Sequence, residues 1–291
     1  MKIASNKLSE LLKYYQSELP NIYDKEEIYA IFEIVCEHFL NYSKTEVVTN
    51  LNNNINQSDL ITIYNTCNEL KTGKPIQYIL KEAFFYDSNF YVNTGVLIPR
   101  PETEELVDLI IKSSNTQSHL NIIDLGTGSG CIPITIKKHL PNSIVYGADI
   151  SEKALEISNY NSIKHSVDVN FFHFDILNAT TINNQQFDII ISNPPYINIT
   201  EKVEMEKRVL EFEPSLALFV DDCDTIIFYK KIIDLCSNSL AKNGYLYFEL
   251  NPLYAHDVEQ YAMNSKLFIS GEIIKDMSGK KRFLKAKKLA Q

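Results

Sequence analysis

The sequence predicts an α/β fold: a mostly parallel, doubly wound sheet preceded by a small all-helical domain. Two observations carry this. From about residue 96, short apolar strands alternate with helical patterns, which implies parallel strands joined by helical crossovers. Before about residue 75, apolar residues recur at helical spacing, and Gly73 is the one glycine in that stretch. The chain has 291 residues, room for one large domain or two smaller ones.

In order along the chain, Leu8, Leu11, Leu12 and Tyr15 mark a first helix, and Ile28, Ile31, Phe32, Val35 and Phe39 a second. Asn52, Asn53 and Asn54 read as a loop. Ser58 and Asp59 are placed to cap a further helix carrying Leu60, Ile63, Tyr64 and Leu70. Thr72-Gly73-Lys74-Pro75 punctuates the end of this part, which sets a helical domain at residues 1–75. Gln77-Tyr78-Ile79, Phe84-Phe85-Tyr86 and Phe90-Tyr91-Val92, broken by Asp87-Ser88-Asn89, predict a β-hairpin linker over 76–95.

Residues 96–291 are expected to hold the sheet. Its strands are read at 122–125, 144–149, 170–175, 187–192 and 245–250, the last after a turn at Asn243-Gly244. Ser151 is placed to cap the helix after the second strand, with Glu152 in its first turn. In such a sheet a ligand sits at the carboxyl ends of the strands, near the point where the strand order reverses.

Composition excludes several classes. At 45% hydrophobic and 22% charged, the chain is neither disordered nor fibrous. The net charge is −9 and the pI near 5.2. The first 75 residues hold 7 Lys, no Arg and 10 acids, and the rest is acidic too. Holding a nucleic-acid backbone takes clustered cations, so direct nucleic-acid binding is not expected.

Five cysteines (Cys36, Cys67, Cys131, Cys223, Cys236) show no C-x-x-C spacing, so they read as reduced thiols with no metal site. The opening Met-Lys-Ile-Ala-Ser-Asn-Lys leads into no secretory signal, and no apolar run is long enough for a membrane span. A cytoplasmic monomer is the expectation. The basic tail (Lys280, Lys281, Arg282, Lys285, Lys287, Lys288) is expected to form a solvated strand edge, with contact to RNA as the alternative.

Three motifs carry chemistry. Gly126-Thr127-Gly128-Ser129-Gly130 follows the first strand and opens a helix. Its glycines let the backbone approach a ligand closely, whereas the dinucleotide fingerprint fails because Cys131 stands where glycine spacing requires otherwise. The G-x-G-x-G spacing is similar to motif I of S-adenosylmethionine-dependent methyltransferases; a tight turn without ligand is the alternative. Asp149, at the end of the second strand, suits both hydroxyls of a ribose, or else caps the next helix. Asp175 ends the third strand in the equivalent place.

Asn193-Pro194-Pro195-Tyr196, after the fourth strand, is the most specific signal. It resembles the motif of methyltransferases that act on a planar nitrogen. Such a nitrogen is a poor nucleophile because its lone pair is delocalised. Acceptors facing both N–H bonds draw it toward a tetrahedral state. Asn193 offers a side-chain oxygen, Pro194 a backbone carbonyl held by fixed φ, and Tyr196 a flat face. An ordinary loop is the alternative.

With these residues in hand, the sequence resembles the release factor glutamine methyltransferases, also called HemK or PrmC proteins. The resemblance covers nearly the whole chain. It rests on Gly73-Lys74-Pro75-Ile76-Gln77-Tyr78-Ile79, on Val96-Leu97-Ile98-Pro99-Arg100-Pro101-Glu102-Thr103-Glu104, on Asp124 to Gly130, on Asn193 to Ile197, and on Phe212-Glu213-Pro214 with Ala217-Leu218. The Ile-Pro-Arg-Pro-Glu-Thr-Glu segment is decisive, because Asn-Pro-Pro-Tyr also occurs in base methyltransferases.

The resemblance implies a class I S-adenosylmethionine-dependent methyltransferase, Rossmann-like in fold. It implies S-adenosyl-L-methionine as cofactor, S-adenosyl-L-homocysteine as product, and peptide chain release factors as protein substrate, methylated on the glutamine of their Gly-Gly-Gln motif. Gly126, Thr127, Gly128, Ser129, Gly130 and Asp149 would then bind the cofactor, with Asp175 and Ile176 near its adenine. Asn193 would face cofactor and substrate amide. Pro194, Pro195 and Tyr196 would shape the glutamine pocket, and Arg100 and Glu102 would order the loop over it. For Arg100 an ion pair with Glu102 or Glu104 is the alternative.

The sequence departs from the family at Lys81, at Asp87-Ser88, at Asn251 and at Tyr254, the first three standing where glycine is common. Two rival functions stay in view. An N6-adenine nucleic-acid methyltransferase shares the Asn-Pro-Pro-Tyr chemistry but must flip and hold a base. A non-enzymatic cofactor-binding module is the other, against which the intact Asn193 and glycine loop argue.

Overall fold

The computed structural model describes residues 5–220 and 224–290, so Cys223 and the first four residues of the N-terminal reading lie outside the described residues. The chain divides into two compact units, Met1–Glu82 with Lys207–Phe212 and Ala83–Glu206 with Glu213–Gln291.

The first unit is helical: α1 (Leu8–Glu18), α2 (Lys25–Leu40), α3 (Lys44–Thr49), α4 (Gln57–Leu70) and α5 (Ile76–Leu80). Leu8, Leu11, Tyr15, Phe32, Val35 and Ile63 form its core, and the Tyr15 hydroxyl, taken out of water, donates to the Ile63 carbonyl at 2.8 Å. Arg208 donates to Glu27 at 2.6 Å and lies over the Tyr23 ring at 4.7 Å, which brings the later segment into this unit.

Two expectations need correcting here. α4 is capped by Asn56, not by Ser58 and Asp59. The Asn56 amide satisfies both sides: its oxygen accepts from the Asp59 backbone at 2.8 Å and its nitrogen donates to the Asp59 carboxylate at 2.6 Å. Gln77-Tyr78-Ile79 belong to α5 and not to a strand. Pro75 opens this one-turn helix, and Lys81 closes it in the left-handed region at φ 56°, donating its N–H to the Gln77 carbonyl. A helix of five residues is too short to show a period, and its aromatic and β-branched content reads as strand.

In the second unit the hairpin is β1 (Glu82–Phe85) and β2 (Ser88–Tyr91). Tyr86 and Asp87 both turn left-handed, at φ 45° and 60°, the geometry of a tight two-residue hairpin. Lys81 and Asp87 thus stand, without glycine, in the backbone region that favours glycine.

The rest alternates as the sequence predicts: α6 (Pro101–Ser113), β3 (Asn121–Leu125), α7 (Cys131–His139), β4 (Ile144–Asp149), α8 (Glu152–Lys164), β5 (Asn170–His173), β6 (Phe187–Ser192), a short β7 (Ile197–Asn198), α9 (Lys207–Phe212) of the first unit, α10 (Ser215–Leu218), β8 (Phe219–Val220), α11 (Ile227–Ser239), β9 (Leu240–Glu249), α12 (Ala255–Asn264), β10 (Phe268–Lys275) and β11 (Lys281–Lys288). Ser151 caps α8 by accepting from Ala154 N–H at 3.3 Å.

The main sheet has seven strands in the order β10-β11-β9-β6-β3-β4-β5. The five from β9 to β5 are parallel; β11 runs antiparallel to both its neighbours, β9 and β10. The chain starts in the middle at β3, winds outward through β4 and β5, then returns to β6 on the other side. The strand order therefore reverses between β3 and β6.

Asn243-Gly244, read as a turn, lies inside β9, with Asn243 left-handed at φ 61° and the register against β6 shifted nearby. A local bulge absorbs the turn. The basic tail is β11, and it is not an edge: it pairs with β9 on one side and β10 on the other. Its cations are not simply solvated. Lys285 and Lys287 lie over the Tyr245 ring at 5.2 and 5.6 Å. Lys288 is buried and donates to the carbonyls of Cys236, Ser237 and Leu240 at 2.7–2.9 Å, closing the carboxyl end of α11. Among the described residues no helix is long and apolar enough to cross a membrane.

Two buried carboxyls make stability pH-dependent. Burial pushes Asp124 from 3.8 up to about 7 and Glu249 from 4.5 up to about 7. Between their ordinary and raised values the folded protein holds protons that the unfolded chain has released. Lowering the pH across this window therefore stabilises the fold, and the gain is complete below the unfolded values. Thermal unfolding should occur at a higher temperature at pH 5.5 than at pH 7.5, with a smaller difference in Glu249→Gln. A melting temperature no higher at pH 5.5 than at pH 7.5 would contradict the assignment.

Candidate active site

Strand register aligns the site. Leu125 pairs with Ala148 on β4 and with Ser192 on β6, and Ser192 pairs with Phe248 on β9. The next residue of each strand therefore falls on one row: Asp149, Gly126, Asn193, Glu249. Every member stands at the carboxyl end of a parallel strand, beside the reversal point. The Ser192 hydroxyl donates to the Leu125 carbonyl at 2.6 Å and ties β6 to β3 immediately before the two motifs diverge.

Above this row lies a cavity of about 180 Å³. Gly126, Gly128, Asp149, Asp175, Ile176 and Asn193 all line it, as does Pro195. The sequence placed these seven at one site, and the fold brings them together. Thr127, Ser129, Gly130, Pro194, Tyr196, Arg100 and Glu102 are not on its wall. Thr127, Ser129, Gly130 and Pro194 are buried.

The glycines divide by position. Gly126 and Gly128 turn left-handed at φ 79° and 54°, and a Cβ at either would meet nothing within 4 Å. Their open faces leave backbone free for a ligand. Gly130, also left-handed, packs inward: a Cβ there would lie 2.9 Å from Ser158 Cβ.

The Asp149 carboxylate is half-buried. One oxygen accepts from Gly128 N–H and the other from Ser151 N–H, each at 2.9 Å. It steadies the turn into α8, whose cap is Ser151 and not Asp149, and it lines the cavity, where each oxygen keeps lone-pair capacity. Burial holds this carboxyl above its ordinary value, against the pull of those N–H groups. Asp175 differs. Its oxygens are engaged by Leu177 N–H at 2.9 Å and the Asn178 amide at 2.8 Å, which hold its carboxyl below the ordinary value. Its place is two residues beyond β5, in a turn that carries Ile176 to the cavity.

Asn193 is half-buried, and its amide nitrogen donates to the Thr103 hydroxyl at 3.3 Å. Thr103 in turn donates to Glu249 at 2.7 Å. The Tyr196 carbonyl accepts from the Asn251 amide at 3.3 Å, so one of the departures from the family pattern braces the motif's other end. The Tyr196 ring packs against the hydrophobic core on the α11 side of the sheet. Arg100 pairs neither with Glu102 nor with Glu104 but with the buried Glu213, at 2.6 Å. That bond joins the start of α6 to the segment whose Pro214, Leu216 and Ala217 line the cavity.

The glycine-free contributors (Leu97, Ile150, Leu216, Phe228) and the Thr103–Glu249 contact were missed from sequence. Apolar lining residues carry no signature of their own. Thr103 and Glu249 sat in view, one inside the Arg-Pro-Glu-Thr-Glu segment and one at a strand end, but nothing in their spacing pairs them.

Comparison with known proteins places the chain. A family model described as "Methyltransferase small domain" matches residues 103–212, and one described as "PrmC N-terminal domain" matches residues 10–80. A curated relative from Flavobacterium psychrophilum, "Release factor glutamine methyltransferase", is 41% identical over 94% of this chain and 98% of its own. One of the same name from Bacteroides thetaiotaomicron is 40% identical over 96% and 99%. Among solved structures, a 16S rRNA N2 G1207 methyltransferase from T. thermophilus aligns with a TM-score of 0.51 at 16% identity, over 71% of this chain and 49% of that one, a likeness of fold. The fold is that of a class I S-adenosylmethionine-dependent methyltransferase, and with identity sustained over nearly the full length of its relatives, the chain belongs to the release factor glutamine methyltransferase family.

Proposed function

We propose that this chain transfers a methyl group from S-adenosyl-L-methionine to the side-chain amide nitrogen, N5, of the glutamine in the Gly-Gly-Gln motif of peptide chain release factors. The observation that carries the reading is that Asn193 and Pro195 line the same cavity as Gly126, Gly128 and Asp149, so a nitrogen-activating motif meets a cofactor-shaped wall. The residues fit that cofactor: open glycine backbone for its amino-acid part, a carboxylate for its ribose diol, and the Asp175-Ile176 turn for its base. When bound, it supplies an activated sulfonium methyl.

The chain's own part is alignment and charge stabilisation. Asn193 Oδ1 accepts one N–H of the glutamine amide and the Pro194 carbonyl accepts the other. With both held, lone-pair density returns from the amide π-system to nitrogen, toward the methyl. The two prolines fix φ and keep the acceptors from rotating away. Tyr196 and Pro195 shape the pocket, and Arg100, clamped to Glu213, orders the cavity's rim together with Glu102. No separate general base is required, because nitrogen loses its proton readily once alkylated. The helical domain of residues 1–75 docks the protein substrate, with the 76–95 segment as linker. The same reading makes the protein a cytoplasmic monomer with no direct nucleic-acid contact.

Labelled methyl donor offered with release factor and with nucleic acid tests the substrate class: label should enter the protein. Label in RNA or DNA instead would favour the N6-adenine alternative. Asp149→Ala should raise the cofactor KM about tenfold or more and leave turnover at saturating cofactor within a few-fold. A large loss of saturated turnover would give Asp149 another role.

A further inference from the structure

We infer that Thr103 and Glu249 are positioning residues that decide which edge of the Asn193 amide faces the substrate. The inference deepens the proposed function and rests on Asn193 acting as an acceptor there. It begins from register: Asn193 and Glu249 follow directly on the paired residues Ser192 and Phe248 of neighbouring strands. Thr103, in the first turn of α6, closes the gap, with its hydroxyl 2.7 Å from Glu249 Oε2 and 3.3 Å from Asn193 Nδ2. Thr103 and Glu249 are 4% and 1% exposed, so water does not compete for these bonds.

The chemistry of the three groups sets a direction. An ionised carboxylate only accepts, so the Thr103 proton is committed to Glu249. The hydroxyl then has only lone pairs left for Asn193. An amide can satisfy them only with its NH2 edge. Asn193 Oδ1 must therefore point away from Thr103, and Asn193 lines the cavity. The two edges of an amide are nearly the same shape, and packing alone does not choose between them. A flipped Asn193 would offer N–H to the N–H of a glutamine amide, donor against donor.

The direction depends on the charge of Glu249. Arg282 on β11 and Arg100 beside α6 favour the ionised form, Glu102 and burial oppose it, and the Tyr229 hydroxyl donates to the Glu249 backbone carbonyl. Together they leave the group at about 7. A protonated Glu249 can donate to Thr103, which frees the hydroxyl proton for Asn193 Oδ1 and reverses the chain. Turnover should therefore fall as pH drops through this range, from the positioning group and not from a general base.

The test uses the full chain, with Thr103→Val, Thr103→Ser and Glu249→Gln, a release factor as substrate, and S-adenosyl-L-homocysteine binding measured separately. Thr103→Val and Glu249→Gln should lower kcat roughly 10–100-fold, the range for a misplaced group, with product affinity changed less than about twofold. Thr103→Ser should recover most of the loss. The acidic limb of the wild-type kcat profile should vanish in Glu249→Gln. The Asn193 side-chain amide resonances, identified by their loss in Asn193→Ala, should move in Thr103→Val and return in Thr103→Ser.

Unchanged kcat in Thr103→Val, or a kcat loss matched by lost product affinity, would overturn the inference. So would amide resonances that ignore Thr103→Val. Should Glu249→Gln fail to fold, the threonine pair and the wild-type pH profile decide. A wild-type protein inactive on every release factor would instead refute the proposed function, and the amide resonances would still decide the relay.

Discussion

Asn193→Ala is expected to lower turnover about 10³-fold, the scale on which a single preorganised polar group acts at a reacting centre. Asn193 lines the cavity, and both the sheet register and the Thr103 contact hold its amide in place. Truncation leaves the Pro194 carbonyl to hold one N–H, and the nitrogen lone pair stays in the π-system. Cofactor affinity should suffer far less, because Gly126 and Gly128 belong to the loop after β3 and Asp149 to the end of β4, away from the Asn193 side chain's own strand. Single-turnover methylation with saturating cofactor, alongside product binding, separates the two effects. Near-normal turnover would show that this amide does not activate the nitrogen.

Gly130→Ala should be the most damaging change to stability in the glycine loop. A Cβ at φ 79° is strained by about 1–2 kcal/mol before any contact is counted. It would also lie 2.9 Å from Ser158 Cβ and 3.2 Å from Ser158 Cα, and backbone of α8 cannot step aside as a side chain does. Overpacking of this kind adds roughly 1–3 kcal/mol, so the melting temperature should fall by roughly 5–15 °C. Gly128→Ala is the control with the same backbone strain and an open face. It should cost little more than the strain in melting temperature, yet weaken cofactor binding at least about tenfold by filling the cavity wall. Equal melting temperatures for the two variants would refute the division between a packing glycine and a ligand-facing one.

The difference between what the sequence disclosed and what it withheld is physical. Gly126, Asp149 and Asn193 were legible because each ends a buried strand, and strand ends show as an apolar run that stops at a polar or flexible residue. Parallel strands ending at one level then force such residues together. Glu249 ends a strand in the same way, but its partner Thr103 lies on a helix 146 positions earlier, and only the packing of α6 against β9 joins them. Such packing leaves no mark on composition.

The tail misled for a related reason. Lysines at 285, 287 and 288 suggest a wet edge, but long alkyl stems let them lie along tyrosine rings or reach buried carbonyls from an interior strand. The left-handed Lys81 and Asp87 were unreadable because they hold a conformation that the residue type disfavours and the neighbours impose.

The most direct test of the account is peptide-resolved mass spectrometry of a purified release factor after incubation with this protein and S-adenosyl-L-methionine. One added methyl group is expected, localised by fragmentation to the side chain of the Gly-Gly-Gln glutamine, and none with Asn193→Ala. A methyl group on any other residue, or an unmodified release factor beside methylated RNA or DNA, would contradict it.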